Sequence, residues 1–175
     1  MTNYETIYEY AADNYGLITS GEAREFGIPN VELVKLAHRG RLHRITHGVY
    51  RIAHYIPTMY DRYAEAVAIA GDGAAIYGES VLAMHGLGFV NPAVITVAVK
   101  SRIRKTLPKY IKAVIPKSTF NPVSYEGIPS QSVFDAILEC KGLVMVDRLI
   151  DAISEAERQG LISHVEAVDA RERMR

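Results

Sequence analysis

The chain has 175 residues, of which 49% are hydrophobic and 23% charged, a composition typical of a globular protein with one or two domains. It contains no apolar run of about 18 residues, so we expect no membrane-spanning helix, and its polar N-terminus lacks the pattern of a secretory signal. A cytoplasmic location is therefore expected. The only cysteine, Cys140, excludes an internal disulfide and a metal site of the CxxC type.

The net charge of zero is the sum of three unlike segments. Residues 1–34 hold six acids and one base (net −5), residues 35–125 hold thirteen bases and four acids (net +9), and residues 126–175 hold six bases and ten acids (net −4). The charge of each segment is therefore more informative than the average.

The first segment has the start and stop signals of three short helices. Helical spacing predicts a helix over residues 3–14, and the S/T-x-x-E pattern from Thr19 to Glu22 is a capping box that predicts a second helix from about Ser20. A Gly-Ile-Pro sequence at residues 27–29 ends that helix, because proline cannot continue it.

A third helix is expected over residues 31–39. Asn30 is placed to cap its start, and Val31, Val34 and either Leu36 or Ala37 are expected to face the core.

A β-hairpin is expected next, with strands at residues 41–45 and 49–52. Gly48 supplies the positive φ that a tight turn needs. Three helices followed by a hairpin is the order of a winged helix-turn-helix, which we assign to residues 1–56.

The remaining residues, 57–175, are expected to form a small mixed α/β domain with C-terminal helices, which makes the fold class α+β. The periodicity predicts helices and strands in the following order: helices 60–70 and 80–84, strands 94–99, 110–115 and 123–125, and helices 132–140, 146–158 and 164–172.

The third helix and the hairpin carry the predicted function. In a helix-turn-helix the recognition helix enters the major groove and the wing contacts the backbone or minor groove, so a basic surface there predicts binding to double-stranded DNA. No acid lies between Leu33 and Tyr60. The predicted DNA contacts are Ser20, Asn30, Glu32, Lys35, His38, Arg39, Arg41, Arg44, Thr46, His47 and Arg51. The alternative is a solvated basic surface on a structural module.

A second basic cluster spans residues 100–117, with no acid between Ser80 and Tyr125. Its bases are expected either to guard an edge strand or to make a secondary contact with DNA or a partner. The candidates for that contact are Lys100, Arg102, Arg104 and Lys105.

We expect no catalytic site, no metal site and no cofactor. The four histidines between residues 38 and 54 do not have the spacing of a zinc site. Glu79 and His85 are close in sequence, but a helix cap or a hydrogen-bonded buried histidine fits them better than an acid–base pair.

Several short motifs resemble those of the AbiEi-like antitoxins of type IV toxin–antitoxin systems. They include Leu17 to Thr19, Gly27-Ile28, and a G-x-L-x-R-x-x-x-G-V-Y pattern from Gly40 to Tyr50. The similarity continues in the ESVLAMHGL sequence at 79–87, the EGIP sequence at 126–129 and the VFDA sequence at 133–136. It therefore extends over most of the chain.

The resemblance implies a prokaryotic repressor that binds operator DNA of its own operon. It also implies that the second domain counters a nucleotidyltransferase toxin, in toxin–antitoxin function or phage defence. Two alternatives are a solitary regulator without a toxin and a protein-binding adaptor that uses the winged helix only as an interaction surface.

Overall fold

The computed structural model describes every residue from Met1 to Arg175 and contains eight helices and eight strands in two sheets. The chain divides into two units, Met1–Ile69 and Ala70–Arg175. None of the eight helices combines the length and the hydrophobicity that a membrane span requires.

The first unit has the winged-helix order of elements. They are α1 (Asn3–Ala12), β1 (Leu17–Thr19), α2 (Ser20–Glu25), α3 (Asn30–His38), β2 (Leu42–Thr46), β3 (Val49–Ile52) and α4 (Asp61–Ala70). The strands form an antiparallel sheet in the order β1-β3-β2. Strand β1 was not predicted, because three residues are too few to show alternation and the strand exists only through its pairing with β3.

Capping boxes start the first two helices. The Thr2 side chain accepts from the backbone N–H of Glu5 at the start of α1, and Thr19 does the same with Glu22 at the start of α2. In both, the glutamate side chain accepts in turn from the capping residue's backbone N–H. The predicted start of α2 is therefore confirmed.

The buried face of α3 differs from the prediction. Leu33 and Leu36 are buried in the core of the unit, whereas Val31 is 54% and Val34 50% exposed. The larger apolar side chains occupy the core because they remove more apolar surface from water, and the two valines lie on the opposite side of the helix.

The predicted cap of α3 is also wrong. The capping position is occupied by Pro29, which has no side-chain hydrogen bond to the helix. Asn30 lies in the first turn, where its side-chain oxygen accepts from Ser20 instead.

The first unit extends beyond the predicted boundary at residue 56. The Arg51 side chain of β3 forms an ion pair with Glu65 of α4, and the Tyr55 hydroxyl donates to the Asp61 carboxylate at 2.9 Å. These contacts attach α4 to the sheet, so α4 belongs with the winged helix.

The second unit is a mixed sheet with helices. Its elements are β4 (Ala75–Ile76), α5 (Glu79–Met84), β5 (Ile95–Ala98), β6 (Ile111–Val114), β7 (Val123–Tyr125), β8 (Ile128–Ser130), α6 (Val133–Glu139), α7 (Val146–Arg158) and α8 (His164–Met174). The strand order is β6-β5-β4-β8-β7, with β5 parallel to β6 and β4 parallel to β8. Strands β4 and β8 were not predicted, since they have only two and three residues.

Candidate nucleic-acid interface

A four-residue turn, Phe26–Pro29, joins α2 to α3. Gly27 adopts a φ of +75°, which a side chain would strain. Two hydrogen bonds close the end of α2: the Gly27 N–H donates to the Arg24 carbonyl and the Ile28 N–H donates to the Ala23 carbonyl, both at 2.9 Å. Ile28 is then buried against the core, which fixes the direction in which α3 starts.

The start of α2, the start of α3 and the turn of the hairpin meet at Ser20. Its backbone N–H donates to the Gly48 carbonyl at 2.9 Å, and its hydroxyl donates to the Asn30 side-chain oxygen at 2.7 Å. A Cβ on Gly48 would lie only 3.4 Å from the Ser20 hydroxyl oxygen, and the glycine φ is +74°. Helix α3 and the wing, defined as β2, β3 and the turn between them, are therefore both hydrogen-bonded to Ser20.

The outer face of α3 consists of Val31, Val34, Lys35 and His38, which have i, i+3, i+4 and i+7 spacing and are all exposed. Arg39, at the end of the helix, is exposed beside them. Glu32, a predicted contact, forms an ion pair with Lys35 at 3.1 Å. That pair neutralises the one acid of the helix.

The wing has exposed cations on β2. The Arg44 guanidinium donates to the Nδ1 atom of His47 at 3.3 Å, which joins the strand to the tip of the turn. The Arg41 guanidinium stacks 4.8 Å from the ring centre of Tyr4 in α1. Thr46 is only half-buried. Exposed positive charge therefore lies on β2 at Arg44 and directly before it at Arg41.

Arg51 does not share this exposure. Its side chain is 18% exposed and its Nη1 atom lies 3.1 Å from the Glu65 carboxylate, whose side chain is 17% exposed. Its Nε donates to the Tyr15 carbonyl, and its guanidinium lies 5.6 Å from the centre of the Tyr55 ring. Arg51 was predicted to contact DNA, but its guanidinium forms an ion pair with Glu65 within the first unit.

Sequence reasoning placed Val31 and Val34 in the core, although both lie on the outer face of α3. The available signal was residue size, since Leu33 and Leu36 have the same helical spacing as the valines and are more apolar. If the buried face of α3 is assigned to Leu33 and Leu36, helical geometry predicts that Val31 and Val34 are exposed.

The second basic cluster separates into two parts in the structure. Lys112 lies exposed on β6, which is an edge strand of the sheet. The four candidates for the secondary contact are exposed in the connection between β5 and β6, which contains no strand: Lys100, Arg102, Arg104 and Lys105. Protection of an edge therefore accounts for Lys112 but not for these four residues.

His85 is the most perturbed histidine. It follows α5, its ring centre lies 3.8 Å from that of Tyr125, and burial lowers its pKa to about 4. Its Nδ1 atom is buried without a hydrogen-bond partner. His85 therefore lies at a helix end, as one expectation had it, but its Nδ1 atom lacks the hydrogen bond that the other expectation supposes. No group of three or more His, Cys, Asp or Glu side chains is placed to hold a metal ion.

The winged helix resembles a known family of regulators. Residues 5–53 match the family described as "Transcriptional regulator, AbiEi antitoxin". No curated protein matches the chain. Among solved structures, the chain is similar to the RV2827C protein from Mycobacterium tuberculosis, with 12% sequence identity, 99% of this chain and 82% of that chain covered, and a TM-score of 0.44. The resemblance predicted from the sequence is therefore confirmed at the N-terminus: residues 5–53 have the sequence pattern of the AbiEi antitoxin transcriptional regulators.

Proposed function

We propose that this protein is a sequence-specific DNA-binding repressor that regulates its own operon. The observation that carries the proposal is the exposed cationic surface formed by the outer face of α3 and the wing. Because no acid lies between Leu33 and Tyr60, and Glu32 is paired with Lys35, this surface presents positive charge to a polyanion. The match of residues 5–53 to a transcriptional regulator family supports the same proposal.

In the proposed complex, α3 lies in the major groove and the wing contacts the backbone. Lys35, His38 and Arg39 are on the side of α3 that would face the bases, and arginine is able to donate two hydrogen bonds to guanine. Arg44 on the wing and Arg41 directly before it would contact phosphates, which fix the register of the protein without reading sequence. The chain would act without a metal, a cofactor or a catalytic step of its own.

A gel-shift titration with the DNA upstream of the gene tests the proposal. We expect a specific complex at physiological salt that an excess of random duplex does not displace. Affinity for this DNA no greater than for random duplex would overturn the proposal. A complex that is weak and insensitive to salt would instead favour the protein-binding adaptor.

We further propose that the protein acts as an antitoxin in a type IV toxin–antitoxin or phage-defence operon, with a nucleotidyltransferase toxin as its partner. This part rests on the family description alone. Co-expression with the product of the adjacent gene tests it: we expect growth to be restored when both are produced. Growth inhibition that this protein does not relieve, or an adjacent gene that encodes no toxin, would leave a solitary regulator.

A further inference from the structure

The outer face of α3 is apolar as well as basic. Val31 and Val34 are 54% and 50% exposed, although Leu33 and Leu36 of the same helix are buried in the core of the unit. Leaving the exposed half of two neighbouring apolar side chains in water is unfavourable. Their position between the charged groups of the same face therefore calls for an apolar partner.

The surroundings of the valines identify the partner by its charge. Val34 and Ala37 line a shallow depression whose other walls are Lys35, His38 and Arg39. An apolar protein surface would bury these cations without neutralising them. The phosphates of a duplex would neutralise these cations. The major groove would also offer the valines an apolar partner, the C5-methyl group of thymine.

We propose that Val31 and Val34 read thymine methyl groups in the major groove and so contribute to the sequence preference of this protein. The inference rests on the proposed function and adds the chemistry of recognition to it. Val31 is in the first turn of α3, where a recognition helix approaches the bases, and Val34 lies one turn further along. The spacing of i and i+3 places both on one side, so they contact neighbouring base pairs.

The hydrogen bond between Ser20 and Asn30 supports the same orientation. Because the Asn30 oxygen accepts from Ser20 at 2.7 Å, its amide group is held at the start of α3, beside Val31. The Asn30 N–H groups are thereby left to donate to an acceptor on the DNA, while the valine methyl groups contact the apolar part of the adjacent base.

The experiment compares thymine with uracil, which differs only by the methyl group. The preferred duplex is first selected from a random pool with the full-length protein. Each thymine in it is then replaced singly by deoxyuridine, and affinity is measured for the wild-type protein and for Val31→Ala and Val34→Ala. The control is Val165→Ala, which shortens a valine that is 77% exposed on α8 of the other unit.

We expect one or two uracil replacements to weaken the wild-type complex by about fourfold each, the effect of burying one methyl group. In the variant that lacks the contacting valine, the same replacement should change affinity by less than about 1.5-fold. The Val165→Ala protein should respond as the wild type does. Thermal unfolding should be unchanged in all three variants, because alanine is favourable at an exposed helical position.

Two results would overturn the inference while leaving the proposed function intact. One is a selected duplex whose thymines can all be replaced by uracil without loss of affinity. The other is a uracil effect that is equal in the wild-type protein and in both valine variants. Selection that yields no preferred duplex at all would overturn the proposed function itself, and this inference with it.

Discussion

The Ser20 hydroxyl, on the first residue of α2, donates a hydrogen bond of 2.7 Å to the side-chain oxygen of Asn30, on the first residue of α3. It joins the beginnings of the two helices that form the helix-turn-helix. The backbone of Ser20 is held in turn by the Gly48 carbonyl in the wing. Ser20 thus contacts both the first residue of α3 and the turn of the wing.

We predict that Ser20→Ala weakens specific DNA binding by about threefold to tenfold, because the Asn30 side chain is no longer oriented. Unfolding should be less affected, by about 0.5–1 kcal/mol, since the hydrogen bond is exposed. Fluorescence anisotropy and urea unfolding measure the two effects. Thr6→Ala removes another exposed hydroxyl hydrogen bond of the same unit and should leave DNA binding unchanged. Equal affinities for the two variants would contradict the prediction.

Arg51 is predicted to act on stability and not on DNA binding. Arg51→Met keeps an apolar stem but removes the ion pair with Glu65, so we expect the free energy of unfolding to fall by about 1–3 kcal/mol. The salt dependence of DNA binding should not change. A double-mutant cycle with Glu65→Gln isolates the pair. A variant with wild-type stability and a flatter salt slope would place Arg51 on the DNA instead.

Arg44 and Arg39 should differ in what they do to DNA binding. Arg44→Ala removes a proposed phosphate contact, so it should weaken specific and random duplexes alike and flatten the plot of log affinity against log salt by about one unit. Arg39→Ala should instead reduce the preference for the specific duplex, by about 1–3 kcal/mol. Titrations of both duplexes over a range of salt distinguish the two outcomes, and identical profiles would refute the assignment.

The half-buried His85 should make the stability of the second unit depend on pH. Because burial lowers the pKa of folded His85 to about 4, the unfolded chain takes up a proton on this side chain near pH 6.5, before the folded chain does. The free energy of unfolding therefore falls as pH drops from about 6.5 to about 4.

His85→Phe keeps a ring against Tyr125 but cannot titrate, and it removes the buried Nδ1 that has no partner. Between pH 7 and 4 we expect this variant to lose about 2 kcal/mol less stability than the wild-type protein, a figure reduced for the partial solvent exposure of the ring. Urea unfolding at several pH values measures the difference. Parallel curves for the two proteins would show that His85 does not control the pH dependence.

The exposed bases between β5 and β6 are proposed as a secondary contact with DNA. We predict that a variant with glutamine at all four positions lowers the salt slope of binding by about one to three units. The positions are Lys100, Arg102, Arg104 and Lys105. The matched control, Lys112→Gln on the edge strand β6, should leave that slope unchanged. If the variant with four glutamines has the same salt slope as the wild-type protein, the secondary contact with DNA is excluded.

Local sequence is sufficient to predict the features that depend on neighbouring residues. The capping box from Thr19 to Glu22 starts α2, because its hydrogen bonds join residues three apart. Gly48 specifies the turn of the wing, because its φ of +74° is readily available only to glycine. The winged-helix order of helices and hairpin follows from such local signals, as do the positions of the bases on α3 and β2.

Which of these side chains are exposed to a ligand depends instead on the tertiary structure. Whether the leucines or the valines of α3 face inward depends on the core that the helix meets, so Val31 and Val34 were misplaced. In sequence, Arg51 is one more base of the wing. In the structure it is paired with Glu65 of α4, whose carboxylate lies 3.1 Å from its Nη1 atom. Burial and ion pairing are set by residues distant along the chain, and a local pattern contains no information about them.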